Sequence, residues 1–217
     1  MKKFELTAES KINWFGRTLY RIKACIDFTT ASGYEVKAGE LGGYVEKERN
    51  LSHDGKAWVF DNAKVFDNAK VFGDAEVWGN AKVYGDAEVY GNAKVWGNAK
   101  VWGDASIFST KHIFCVTPIG QYANSLTVFR TKNRELKISF EFKTYEIEEF
   151  RKAIHDSWDE EYVCIAEGAI SLAKKHIDLT PEKSFKDCPF CGGKAELDED
   201  SDVVICTECG STAKEEI

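Results

Sequence analysis

The sequence predicts a mainly β protein whose body is a parallel β-helix solenoid, with an N-terminal β cap, a small α+β module and a C-terminal four-cysteine zinc ribbon. Three observations carry this. Eight unbroken six-residue repeats run from Val59 to Ser106. After residue 114 the period stops and gives way to a hairpin followed by two amphipathic helical stretches. Near the end, Cys188 and Cys191, then Cys206 and Cys209, form two C-x-x-C pairs with 14 residues between them. The expected boundaries are 1–58, 59–114, 115–183 and 184–217.

The repeats read VFDNAK, VFDNAK, VFGDAE, VWGNAK, VYGDAE, VYGNAK, VWGNAK and VWGDAS, followed by a degenerate IFSTKH. A helix is excluded, because Gly, Asp and Asn recur every six residues where they would break each turn. What remains is short β-branched and aromatic pieces separated by residues that tolerate a positive φ. No such strand is stable alone, so successive coils have to stack edge to edge. With Val pointing inward, alternation turns its two neighbours outward: the preceding Lys or Glu and the following aromatic.

The repeat resembles the hexapeptide family of left-handed β-helices, in which an aliphatic residue opens each hexad and a small one lies four later. Val and Ala fill those two positions in all eight hexads. That resemblance implies a left-handed, triangular tube with 18 residues per coil, and hence three outer faces. The first carries Lys64, Phe66, Lys82, Tyr84, Lys100 and Trp102. The second carries Lys70, Phe72, Glu88, Tyr90, Ser106 and Phe108. The third carries Trp58, Phe60, Glu76, Trp78, Lys94, Trp96, His112 and Phe114.

Aromatic ladders on three faces have two readings: cover by the chain's own flanks, or contact with a subunit or ligand. Only the first face joins its rings to three uninterrupted lysines, which suits an anionic planar ligand with a base on a ring and phosphate on lysine. The Asn and Asp residues at the corners are explained by turn hydrogen bonding.

In the flanks, Leu19–Phe28 and Gly33–Val45 read as strands, the latter with a Gly42-Gly43 turn, and His53 reads as a turn or cap residue. Leu126–Arg130 and Leu136–Lys143 read as a hairpin. Thr144–Trp158 and about Asp159–Ile177 read as helices, with Pro181 closing the second. His155 and His176 are expected on the surface, and Cys115 and Cys164 in structural positions.

Composition limits the function classes. The 217 residues carry 29 basic and 36 acidic side chains, a formal net charge of -7, and 43% are hydrophobic. That is enough apolar material for packed cores and excludes wholesale disorder. The tail from Lys186 onward holds three basic and nine acidic residues, a poor phosphate contact. No apolar run approaches transmembrane length, and MKKFELTAESKINW has no signal-peptide core, so no membrane association and a cytoplasmic location are expected. Seven cysteines, four of them in C-x-x-C pairs, favour a reducing compartment with a metal site.

Four thiolates at Cys188, Cys191, Cys206 and Cys209 suit a closed tetrahedral site, so the expected cofactor is structural Zn2+. The stretch DCPFCGGKAELDEDSDVVICTECG is similar to the Lar-type restriction alleviation proteins of phages and prophages. That likeness covers about 30 residues and implies a phage-type antagonist of host defence.

The leading expectation is a non-enzymatic binding or assembly protein that holds a host defence protein or an anionic nucleotide-like ligand. As in the hexapeptide family, it would form a homo-oligomer, with a trimer favoured. One alternative is an acyltransferase of hexapeptide type, for which His112 is the available base. The other is nucleic-acid binding through the ribbon and the basic face.

Overall fold

The computed structural model describes residues 2–120, 122–180, 195–198, 203–206 and 212–214. It divides into two compact units, 1–179 and 180–217.

The first unit opens with β1 (Phe4–Ile12), β2 (Thr18–Ala24), β3 (Phe28–Thr29), β4 (Glu35–Val36) and β5 (Leu41–Val45). The hexads then give nine two-residue strands: β6 (Trp58–Val59), β7 (Lys64–Val65), β8 (Lys70–Val71), β9 (Glu76–Val77), β10 (Lys82–Val83), β11 (Glu88–Val89), β12 (Lys94–Val95), β13 (Lys100–Val101) and β14 (Ser106–Ile107). They stack in parallel, each on the strand 18 residues away, as a solenoid of about four turns. Its three faces are β5-β7-β10-β13, β8-β11-β14 and β6-β9-β12, with β2 and β1 extending the first face antiparallel.

Every rung has the same construction. The valine points into the tube, and Val65, Val77, Val83, Val89, Val95 and Val101 are fully buried. The alanine two residues before it fills the remaining interior and is buried in every hexad. The chain then turns at a residue with positive φ, an aspartate at 61 and 67 and a glycine from 73 to 103. Glycine is also required by proximity: a Cβ at Gly85 would lie 2.9 Å from the backbone nitrogen of Gly103 one coil on.

Gly42 and Gly43, expected as a turn, are instead interior residues of β5. A Cβ on Gly43 would sit 2.6 Å from Val59 Cγ1 and 2.7 Å from the Ala63 carbonyl, so this strand runs too close to the tube wall for any side chain.

Beyond β14, a 3-10 turn (Thr110–His112) leads to an antiparallel sheet of β15 (Ile113–Ile119), β16 (Asn124–Arg130), β17 (Leu136–Phe140) and β18 (Lys143–Glu146). Strand β18 occupies the start of the segment expected to be helical. The helix α1 (Ile147–Ser157) begins after it, and α2 (Glu160–His176) follows. Side-chain alternation along β16 serves two cores. Leu126 and Val128 pack with Phe150, Ile154, Ala166 and Ile170 of the helices. Phe129 belongs to the solenoid core, and Thr127 Oγ1 accepts the Lys100 backbone N–H at 3.1 Å. Cys164, expected in a structural position, is an exposed thiol on α2.

The second unit contains β19 (Ala195–Asp198), β20 (Val203–Cys206) and β21 (Thr212–Lys214) in one antiparallel sheet of that order. Pro181, Cys188, Cys191 and Cys209 lie outside the described residues.

Candidate functional site

Strand register builds a row of cations on the first face. Lys64 pairs with Lys82 and Lys82 with Lys100, each one place before an inward valine, so all three ammonium groups leave the same wall. The rung below carries Tyr44, paired with Lys64. There Lys11, from β1, lays its Nζ 4.3 Å from the Tyr44 ring centroid and donates to Asn62 Oδ1 at 3.4 Å.

Lys64, Lys82 and Lys100 are half-buried, and burial is the chief cause that pulls their ammonium groups below the usual lysine value. Lys64 is lowered further by the charges of Lys82 and Lys11, and Lys82 by that of Lys100. For Lys100, Glu141 partly restores the loss. Lys100 Nζ donates to the Glu141 carbonyl at 2.9 Å and lies 5.3 Å from the Phe142 ring. Among the described residues neither Lys64 nor Lys82 has a carboxylate within ion-pair distance. The second face differs: there Glu88 sits between Lys70 at 3.6 Å and Lys132 at 3.4 Å. A column of like charges packed at strand spacing and left unneutralised costs stability unless an anion joins it.

The row has two banks. On one, Asn62, Asn80 and Asn98 repeat at the corners and share with the lysines, Asn124 and Ser125 a recess of about 370 Å³. On the other runs the ring column. Phe66 and Tyr84 stack at 4.8 Å with planes 5° apart, and Tyr84 and Trp102 at 5.3 Å and 12°. The column is in register but largely covered: Leu19 and Tyr44 pack on it, Phe15 lies 6.1 Å from both Phe66 and Tyr84, and Trp102 Nε1 donates to Ser139 Oγ. Phe66 is 2% and Tyr84 7% exposed.

The exposed rings beside the row belong to the flanks. Trp14 (89% exposed) and Phe15 (58%) occupy the β1–β2 turn, and Phe142 (67%) the β17–β18 turn. With the lysines they line a second recess of about 120 Å³. Sequence reasoning passed over these rings and Lys11. The available signal was the apolar Trp14-Phe15 pair in an otherwise polar Asn13–Gly16 turn.

The third face is covered at its first two rungs, while Trp96 on the next stays 62% exposed. Trp58 and Glu76 are fully buried, because the 28–36 segment folds over them. Glu76 Oε1 accepts the Ser32 backbone N–H and Oε2 accepts Ser32 Oγ and Trp78 Nε1, all at 2.8 Å. Phe60 and Trp78 stack at 3.4 Å. His112 and Phe114 do not join this column. His112 ends the 3-10 turn, 3% exposed, with Nδ1 accepting the Phe108 N–H and its ring edge-on to Phe108 at 3.9 Å. Phe114 lies in β15, in a different sheet. The chain leaves the helical path after β14 because Ser109 begins the 3-10 turn, its Oγ accepting the Lys111 N–H.

His53 is a joint in the N-terminal segment. Its Nδ1 accepts the Lys3 N–H, its Nε2 lies 2.8 Å from Glu48 Oε1, and its ring stacks on Phe4 at 4.3 Å. Of the four ribbon cysteines, only Cys206 falls within the described backbone, as the last residue of β20 opposite Ala195. Among the described residues no three His, Cys, Asp or Glu side chains converge as a metal site, and no helix there is long and apolar enough to cross a membrane.

Compared with known proteins, the chain matches no family model and no curated protein.

Proposed function

We propose that this chain is a non-enzymatic binding protein that captures an anionic, nucleotide-like ligand on the lysine face of its solenoid. The carrying observation is the in-register row Lys64, Lys82, Lys100, half-buried and lacking carboxylate partners among the described residues for its first two members. A bound anion would relieve the mutual repulsion of these groups, so the free energy stored in the row becomes binding affinity. The Asn62, Asn80 and Asn98 amides supply neutral donors beside the charges, and the exposed rings at the two turns offer stacking surfaces.

Around this face the remaining parts have supporting roles. The N-terminal strands act as a cap for the first coil. Cys188, Cys191, Cys206 and Cys209 hold a structural Zn2+ that ties together the second unit. Support for this is the chemistry of four thiolates in C-x-x-C pairs, with an antiparallel hairpin, β19–β20, in the interval. The chain is a homo-oligomer, a trimer by likeness to the hexapeptide proteins. It acts in the host cytoplasm as a phage-type defence antagonist, a reading that rests on the ribbon's likeness to restriction alleviation proteins.

Native mass spectrometry of the purified chain tests the reading. An anionic small molecule carried by the wild type and lost in Lys64→Gln/Lys82→Gln/Lys100→Gln supports it. A bare chain that binds none of a panel of nucleoside mono-, di- and triphosphates, cyclic dinucleotides and short oligonucleotides overturns it.

A further inference from the structure

Resting on that reading of the lysine face, we propose that the face is built for an extended ligand: a short single strand of nucleic acid, three to four nucleotides long, lying parallel to the solenoid axis.

The row is linear and longer than one nucleotide. Lys64, Lys82 and Lys100 occupy successive rungs, and Lys11 places a fourth ammonium at the Tyr44 rung beneath them. At a strand spacing of ~4.8 Å the four rungs span about 14 Å. The phosphates of a single nucleotide reach one or two rungs and leave the others unneutralised. A nucleic-acid strand repeats its charge every ~3.4 Å when its bases are stacked, and at longer intervals when they are drawn apart. Lysine's flexible arm absorbs the difference, so successive phosphates meet successive ammonium groups.

The banks fit the same ligand. The Asn62, Asn80, Asn98 column repeats with the lysines, offering an amide at each of those rungs to a phosphate or sugar oxygen. Exposed rings stand at two stations along the row. Trp14 and Phe15 lie at the lower rungs, where Phe15 meets Phe66 and Tyr84, and Phe142 lies at the top beside Lys100. Backbone tracking by cations with bases on separate aromatic platforms is how proteins bind single strands without reading sequence. The overall charge of -7 does not decide the local field, because the row gathers four cations within about two Debye lengths against two acidic neighbours, Glu141 beside Lys100 and Glu9 beside Lys11.

The test is a length series. Fluorescence anisotropy competition or calorimetry on the full chain compares ATP, tripolyphosphate, and oligothymidylates of one to eight nucleotides at two salt concentrations. Affinity should rise with each nucleotide to three or four and then level off, with a log–log salt slope of about -2 to -3. Lys82→Gln should weaken the four-mer about five-fold or more and flatten that slope. Trp14→Ala should weaken it by a similar factor with the slope unchanged. Trp14 is exposed and half-buried Lys82 stands on the outer wall of the tube, so neither substitution opens the core. Affinity already at its ceiling with ATP or a mononucleotide overturns the extended strand while leaving the anion-binding reading intact. Tripolyphosphate binding more tightly than the four-mer overturns it too, because stacking would then contribute nothing. Failure of every anion to bind overturns both.

Discussion

The Ser32 backbone N–H is held by the Glu76 carboxylate at 2.8 Å, which pins the 28–36 segment to the third face of the solenoid. Glu76 is fully buried and accepts two further hydrogen bonds, from Ser32 Oγ and Trp78 Nε1. Truncation to Ala takes the acceptor from the Ser32 N–H and Trp78 Nε1 and leaves Ser32 Oγ only Thr30 Oγ1 at 3.1 Å. Glu76→Ala should cost about 3–5 kcal/mol in urea unfolding, and Glu76→Gln clearly less, since the amide oxygen retains part of the set. Equal loss in both variants would show that charge, not acceptor geometry, matters here.

Gly43 tests the close approach of β5 to the tube. A methyl group there meets Val59 Cγ1 and the Ala63 carbonyl, neither of which can swing away. Gly43→Ala is expected to destabilise the first unit by about 3 kcal/mol, although alanine is ordinarily the better residue in a strand. Gly97→Ala has open space for its Cβ and only the left-handed φ of 66° to oppose it, so its cost should be nearer ~1 kcal/mol. Denaturant midpoints of the two variants measure the difference.

Lys3 gives the fold a pH signature. Its Nζ donates to the Gly55 and Ala57 carbonyls at 3.1 and 2.9 Å, and burial pulls the ammonium down to about 8, with Asp54 and Asp74 pulling the other way. The unfolded chain, with an ordinary lysine near 10.5, binds more protons between pH 8 and that value. Stability therefore rises with pH across that window and gains nothing from this group below it. The Tyr84 hydroxyl, pushed up to about 12 by burial, acts oppositely and lowers stability above its ordinary value of 10. Between about pH 8 and 10 the rise attributable to Lys3 should be about 2 kcal/mol. Lys3→Met should abolish that part of the slope in a denaturation series.

For the second unit the expected measurement is one zinc per chain, by metal analysis of protein purified without chelator. Cys25, Cys115 and Cys164 are free thiols. No more than three thiols should react before chelation and four more after it. Cys206→Ser should lower the zinc content and let the three remaining ribbon thiols react before chelation, whereas an unchanged zinc content would show that Cys206 is no ligand.

The solenoid was legible because its period is a backbone requirement: valine in, glycine or aspartate at positive φ, every six residues. The register that aligns Lys64, Lys82 and Lys100 follows from that period alone. Phe66, Tyr84, Trp58 and Glu76 were correctly turned outward from the tube. Their cover was not legible, since it depends on how Leu19, Phe15 and Ser32 fold back over long sequence separations. Gly42-Gly43 misled because a glycine pair signals a turn locally, whereas here it answers a tertiary contact. His112 left the expected column because Ser109 starts a turn that a six-residue template does not anticipate. Trp14 and Phe142 carry no period at all, and only the folded turns bring them to the lysine row.

Identical rungs make the lysine row a ruler whose length is written in whole coils. Excising residues 77–94 removes one 18-residue coil, Lys82 included, and rejoins Glu76 to Val95, which restores the hexad phase at the junction and keeps the Glu76 clamp on Ser32. The shortened tube keeps its inward valines and loses a single notch, Lys82. Duplicating the same block adds one. The length of ligand proposed for this surface should therefore change in whole steps as one such block is copied or deleted.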